Sequence, residues 1–204
     1  MSHNVMICMV ILSRYVLLYN NKRLLCRNIT FFFVNLHPNA FECMKSIKDI
    51  SAKPFIKWVG GKTQLLDEVK RSLPSDLGKR TGLTYVEPFV GGGAVLFWIL
   101  QEYPNIERAV INDINAELIC TYRVIKSNVE ALIQELNRIQ SEYISMGADD
   151  RKEYFLSKRA LFNSRNISDI ETAALFIFLN RTCFNGLYRV NSKGEFNVPH
   201  GKYS

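Results

Sequence analysis

Three short blocks of the sequence carry residue types that could do chemistry. The first is Tyr85-Val86-Glu87-Pro88-Phe89-Val90-Gly91-Gly92-Gly93-Ala94. Glycines placed directly after an apolar stretch let the backbone approach a ligand and turn sharply into a helix. Alone, such a run is equally a plain tight turn. A second apolar stretch ends at Asp113, 22 residues after Gly91, and a carboxylate there can accept hydrogen bonds from both hydroxyls of an adenosine ribose. A dinucleotide fingerprint has glycine at the last place of G-x-G-x-x-G, where this chain has Leu96. No pyrophosphate needs cradling, and an adenosine without phosphates fits S-adenosylmethionine.

The second block is Pro54-Phe55-Ile56-Lys57-Trp58-Val59-Gly60-Gly61-Lys62-Thr63. Gly61-Lys62-Thr63 has the form of a P-loop's tail, but the P-loop glycine five places before Gly61 is replaced by Ile56, which excludes nucleotide hydrolysis by that motif. A lysine before a helix, with a tryptophan and two glycines, could grip a carboxylate and cover a ligand; a capped helix with a core tryptophan is the plainer reading. In the third block, which runs from Leu179 to Tyr203, Arg181, Arg189, Lys193 and Lys202 alternate with Phe184, Tyr188, Phe196 and Tyr203. Arginines can read guanine edges or hold phosphates, and aromatics can wedge between bases. A basic hairpin with no ligand has the same composition.

These blocks need elements to position them. Thr63–Leu73 has helical spacing at Leu65, Leu66, Val69 and Leu73, and Pro74 stops it. Thr84–Val90 reads as a strand, Ala94–Tyr103 as a buried helix, and Arg108–Ile111 as a second strand. Asn115–Lys126 and Val129–Ile139 read as amphipathic helices. Ser168 with Glu171 forms a capping box before an apolar helix ending near Leu179, and 180–204 has loop or hairpin composition. Strand, glycine turn, helix, strand and acid open a parallel α/β sheet.

Of the 204 residues, 48% are hydrophobic, enough for a core, and the net charge is +7. Residues 44–150 are near neutral, whereas 151–204 hold nine basic side chains against four acidic ones. That division suits a small-molecule site joined to a polyanion-binding lobe, or an ordinary solvated basic face. Five scattered cysteines without a C-x-x-C pair argue against a zinc finger and for a reducing cytosol. In residues 1–43, the apolar run from Val5 to Leu18 is too short to span a bilayer and lacks a signal peptide's basic start and cleavage site. The expectation is that Met44 is the native start and 1–43 a non-native or disordered upstream segment, with a short membrane-surface anchor as the alternative.

Taken in order, Phe55-Ile-Lys-Trp-Val-Gly-Gly-Lys62, Val86-Glu-Pro-Phe-Val-Gly-Gly-Gly93, Ile111-Asn-Asp-Ile-Asn115 and Phe184-Asn-Gly-Leu-Tyr-Arg-Val-Asn-Ser-Lys-Gly-Glu-Phe-Asn-Val-Pro-His-Gly-Lys-Tyr203 resemble the Dam-type (D12 class) DNA adenine-N6 methyltransferases, from about Lys53 to Tyr203. The resemblance implies a Rossmann-like class I methyltransferase core, here a truncated parallel sheet, with a mainly helical DNA-recognition lobe and hairpin. Residues 44–126 would hold the S-adenosylmethionine part and 127–204 an incomplete recognition lobe. Trp58, Lys62, Glu87, Pro88, Phe89, Gly91, Gly93 and Asp113 match cofactor-binding positions. Lys57, Phe184, Asn185, Leu187, Arg189, Pro199 and Lys202 match DNA-binding ones, with Arg189 in a base-reading place. The implied partner is double-stranded DNA, GATC-type in sequence, with no metal and no membrane, and the implied state is a cytoplasmic monomer. The family's catalytic Asp-Pro-Pro-Tyr has no counterpart, because none of the six prolines adjoins another. The expectation is therefore a truncated and inactive chain. The main alternative is a non-catalytic DNA-binding fragment; an RNA or protein methyltransferase fits the motif order less well.

Overall fold

A computed structural model describes residues 52–201. The first turn, Lys62–Leu65, is 3-10, and it runs on into α1, Leu66–Ser72. Asp67 and Glu68 in the first turn of α1 and Lys70 and Arg71 in its last complement the helix dipole, and Leu73 before Pro74 is extended. Strands β1, Leu83–Glu87, and β2, Ile106–Ile111, pair in parallel with Tyr85 opposite Ala109 and Glu87 opposite Ile111. Their crossover is α2, Ala94–Glu102, which buries Val95, Leu96, Phe97 and Ile99. Asn112 N–H donates to Glu87 C=O at 2.9 Å and Val90 N–H donates to Asn112 C=O at 2.9 Å, so the two loops leaving the sheet stay side by side.

Four helices follow. In α3, Ala116–Ser127, the Asn115 side chain accepts from Leu118 N–H as the N-cap. In α4, Val129–Ser145, the apolar stripe Leu132, Leu136, Ile139 and Tyr143 is buried. Next comes α5, Ala148–Ser164, and then α6, Asp169–Thr182, which starts at the capping box of Ser168 and Glu171. Ala173 to Asn180 are all buried, because α3, α4 and α5 all pack on α6. After α6 the chain forms a loose hairpin with antiparallel bridges Cys183–His200 and Val190–Phe196. Asn163 on α5 ties it down: its amide donates to Phe196 C=O at 3.0 Å and its oxygen accepts from Phe196 N–H at 2.8 Å. One cluster of buried side chains runs from Phe55 and Val90 through α6 to Phe196 and Val198.

The described residues thus form a mixed helix–strand structure with a two-stranded parallel sheet. The strands and helices expected from periodicity all form. The differences are a β1 that ends at Glu87 rather than Val90, a β2 that begins at Ile106 rather than Arg108, the 3-10 start before α1, an α4 that reaches Ser145 rather than Ile139, and an α6 that reaches Thr182. Helix α5 is the element with no clear apolar period. Only Phe155 and Phe162 are buried along its 17 residues, and charged residues fill much of the rest. The expectations for residues 1–43, and for Met44 as a start, lie outside the described residues.

Candidate functional site

The two loops at the carboxyl ends of β1 and β2 are where a parallel α/β sheet offers a ligand its crevice. A cleft of about 280 Å³ opens there, lined among others by Trp58, Gly61, Lys62, Phe89, Gly91 and Asp113. Glu87, at the end of β1, is 6% exposed. Its carboxylate is matched on both oxygens: Lys62 Nζ donates to Oε1 at 2.8 Å and the Tyr85 hydroxyl donates to Oε2 at 2.7 Å. Lys62 also donates to Phe89 C=O. Burial, reinforced by the Glu87 hydrogen bond, raises the Tyr85 pKa far above the usual phenol value. The Lys62 ammonium is therefore committed first to the protein, with one of its three N–H groups left for a ligand.

Asp113 bridges the same two loops. Its Oδ2 accepts from Gly91 N–H at 2.9 Å and its Oδ1 from Asn115 N–H at 3.0 Å. Each carboxylate oxygen keeps a second acceptor site for a hydroxyl. Gly93 has φ +82°, and a Cβ there would stand 2.6 Å from the Tyr122 hydroxyl. Gly91 has φ +50°, and a Cβ there would meet the Trp58 indole at 2.9 Å. These positions need glycine because an aromatic side chain occupies the space beside each. Trp58 also stacks on Tyr188 of the hairpin, with centroids 5.6 Å apart and planes at 27°. Trp58 thus joins the glycine loop to the hairpin.

On the hairpin, Phe184 is 52% exposed, Asn185 is exposed in the left-handed region at φ 56°, and Arg189 is exposed with its Nε donating to Asn197 Oδ1 at 2.8 Å. Leu187 is half-buried, and Pro199 is exposed, its carbonyl accepting from Phe184 N–H at 2.9 Å. Lys57 is exposed beside Gly186, and Pro88 is exposed next to Glu87. Lys202 lies outside the described residues. Parts of the alternating basic–aromatic pattern point inward. Arg181 donates to Phe55 C=O through Nε at 3.0 Å and also through Nη2; Phe196 is buried, and Tyr188 packs against Trp58, Phe176 and Phe196. The alternation arises because the hairpin must cover α6 with one face. Sequence reasoning missed the Tyr85 hydrogen bond, although its place two residues before Glu87 puts both side chains on one face of β1. It also missed Ile114, which is 98% exposed beside Asp113; an isoleucine directly after the acid was the available signal.

The model of the D12 class N6 adenine-specific DNA methyltransferases matches residues 58–204. This chain belongs to that family. Type II methyltransferase M.MjaIII of Methanocaldococcus jannaschii is 47% identical over 156 residues, which cover 76% of this chain and 54% of that protein. The DNA adenine methylase of Haemophilus influenzae is 40% identical, covering 74% of this chain and 48% of its own length. Type II methyltransferase M1.LlaDCHI of Lactococcus lactis is 42% identical, covering 76% and 49%. The chain spans about half the length of these relatives. Among the described residues no helix is long and apolar enough to cross a membrane, and no group of three or more His, Cys, Asp or Glu side chains could hold a metal ion.

His200 closes the base of the D12 hairpin. Its Nε2 shares a 2.7 Å hydrogen bond with the Tyr143 hydroxyl, and its ring packs on Phe155. Burial, and then the charges of Lys152 and Arg151, lower its pKa from 6.5. The unfolded chain therefore takes up the proton first as pH falls. This contribution to stability is full above pH 6.5 and shrinks below it, until the folded value is passed. The melting-temperature gap between the parent and His200→Gln should narrow between about pH 7 and about pH 5. A gap that stays constant over that range would rule this linkage out.

Proposed function

We propose that this chain carries the cofactor-binding and DNA-recognition parts of an adenine-N6 DNA methyltransferase that uses S-adenosylmethionine. The single observation behind this reading is that Trp58 belongs to two surfaces at once: the Lys62–Asp113 cleft and the Arg189 hairpin. Residues 44–126 supply the first surface, as part of a Rossmann-like core, and 127–204 the second. The donor and acceptor set fits the cofactor. Asp113 offers two acceptors to ribose hydroxyls, Lys62 one N–H to a carboxylate, and Phe89 and Ile114 exposed apolar surface near the cleft. When bound, S-adenosylmethionine supplies a methyl group on a sulfonium centre.

On the DNA side, Arg189 is held through Nε by Asn197, which leaves its terminal nitrogens for a guanine edge, and the exposed Phe184 would wedge into the duplex beside a flipped adenine. GATC is the recognition sequence we favour. Adenine N6 is a poor nucleophile, and transfer needs an acceptor aimed at its hydrogens; these 204 residues hold no Asp-Pro-Pro-Tyr to provide one. They are thus expected to bind without transferring. The competing reading, a DNA-binding module with a merely structural glycine turn, requires no affinity for S-adenosylmethionine.

Three measurements test the proposal. Calorimetry should find S-adenosylmethionine bound, and bound about tenfold or more weakly by Asp113→Asn, which loses charge-assisted hydrogen bonds. Equal affinities would remove Asp113 from the site, and no binding by the parent would favour the module. In duplex titrations, Arg189→Ala should reduce the preference for GATC over a variant site by roughly 1–3 kcal/mol; equal losses on both duplexes would make Arg189 a phosphate contact only. Tritium transfer from labelled S-adenosylmethionine to a GATC duplex should stay at background. Measurable transfer by the purified chain would mean that the acceptor lies among these 204 residues.

A further inference from the structure

Asn180 stands near the carboxyl end of α6, 1% exposed, directly after the buried apolar run from Ala173 to Leu179. A buried amide is costly unless hydrogen-bonded, and this one makes three bonds. Its Oδ1 accepts from Lys57 N–H at 2.9 Å, while its Nδ2 donates to Lys57 C=O at 2.9 Å and to Gly186 C=O at 3.0 Å. Both polar groups of residue 57 are held by one side chain, much as a neighbouring strand would hold them. Arg181 holds Phe55 C=O two residues earlier. The direction in which the Lys57 side chain leaves the backbone is thereby fixed.

The other half of the arrangement is Gly186. It has φ +65°, and a Cβ there would meet Lys57 Cβ at 2.9 Å and Lys57 Cδ at 2.5 Å. The lysine stem therefore lies flat across the turn that displays Phe184 and Asn185. We propose that Asn180 is a positioning residue for DNA recognition: its carboxamide ties Lys57 to the hairpin turn, so that the lysine ammonium and the hairpin tip meet the duplex as one surface. This rests on the reading that Lys57 and the hairpin face DNA. Asn180 touches neither DNA nor cofactor. It works through the Lys57 backbone on one side and the Gly186 carbonyl on the other.

The test is a double-mutant cycle on the full chain, read by anisotropy of a labelled GATC duplex at several salt concentrations, with melting curves alongside. Lys57→Ala should weaken binding roughly fivefold, as for one solvent-exposed ionic contact. Asn180→Asp keeps the acceptor for Lys57 N–H but turns a charged oxygen towards two carbonyls, and it should weaken binding by a similar factor. The combined variant should fall within about twofold of either single one, because the second change has nothing left to disturb. If Asn180→Asp melts at the assay temperature, Gly186→Ala takes its place, since its methyl displaces the Lys57 stem from the opposite side. Independent effects, about 25-fold together, would overturn the proposal; they would mean that the new charge or a general loosening is responsible. A folded Asn180→Asp with parental affinity would overturn it too. Parental affinity in Lys57→Ala would instead sink the underlying assignment of Lys57 to DNA, and the proposal with it.

Discussion

The burial of α6 on every side is the constraint on which the rest of the structure depends. The run from Ala173 to Leu179 is apolar on all sides and has no solvent face, so each of its sides must be supplied with cover. Helices α3, α4 and α5 provide most of it. Phe176 and Phe178 alone contact Trp58, Tyr143, Tyr154, Phe155, Phe162 and Tyr188 through their rings. Each fully buried side chain of this size contributes about 1.5–3 kcal/mol. The segment 55–58 and the hairpin complete the cover near the carboxyl end, and for that reason two stretches more than 120 residues apart in sequence come to lie side by side.

Two carboxylates then organise what α6 has brought together. Glu87 is buried at the end of β1 and tolerated because Tyr85 and Lys62 satisfy both oxygens. Asp113 uses one oxygen on each of two loops and so sets the spacing of the glycine turn from the start of α3. Neither interaction depends on a ligand. Bonds within the protein thus fix the side chains that line the cleft, and groups held in this way lower the ordering cost of binding.

Much of this was legible in the sequence where a local rule applied. The capping box at Ser168, the stop at Pro74, the glycine turn between two apolar runs and the acid after the second strand each follow from chemistry within a few residues. What stayed hidden depends on distant partners. Helix α5 shows little period because it contributes chiefly two phenylalanines and an asparagine that clasps the hairpin. Arg181 reads as a nucleic-acid contact in a basic run, and only the position of Phe55 shows that it serves a backbone carbonyl instead. Asn180 gives no sequence signal at all beyond a polar residue at the end of an apolar helix.

The place of Trp58 has a practical consequence of an optical kind. The chain holds two tryptophans, and the other, Trp98 on α2, sits edge-on to Tyr103. The indole of Trp58 lies between Gly91 and Tyr188, where its ring nitrogen and stacking face report on the glycine loop and the hairpin together. Replacing Trp98 with phenylalanine would leave a single tryptophan, at the junction of the two surfaces. The molecule carries a built-in gauge of the distance between them, readable by emission and quenching without any attached label.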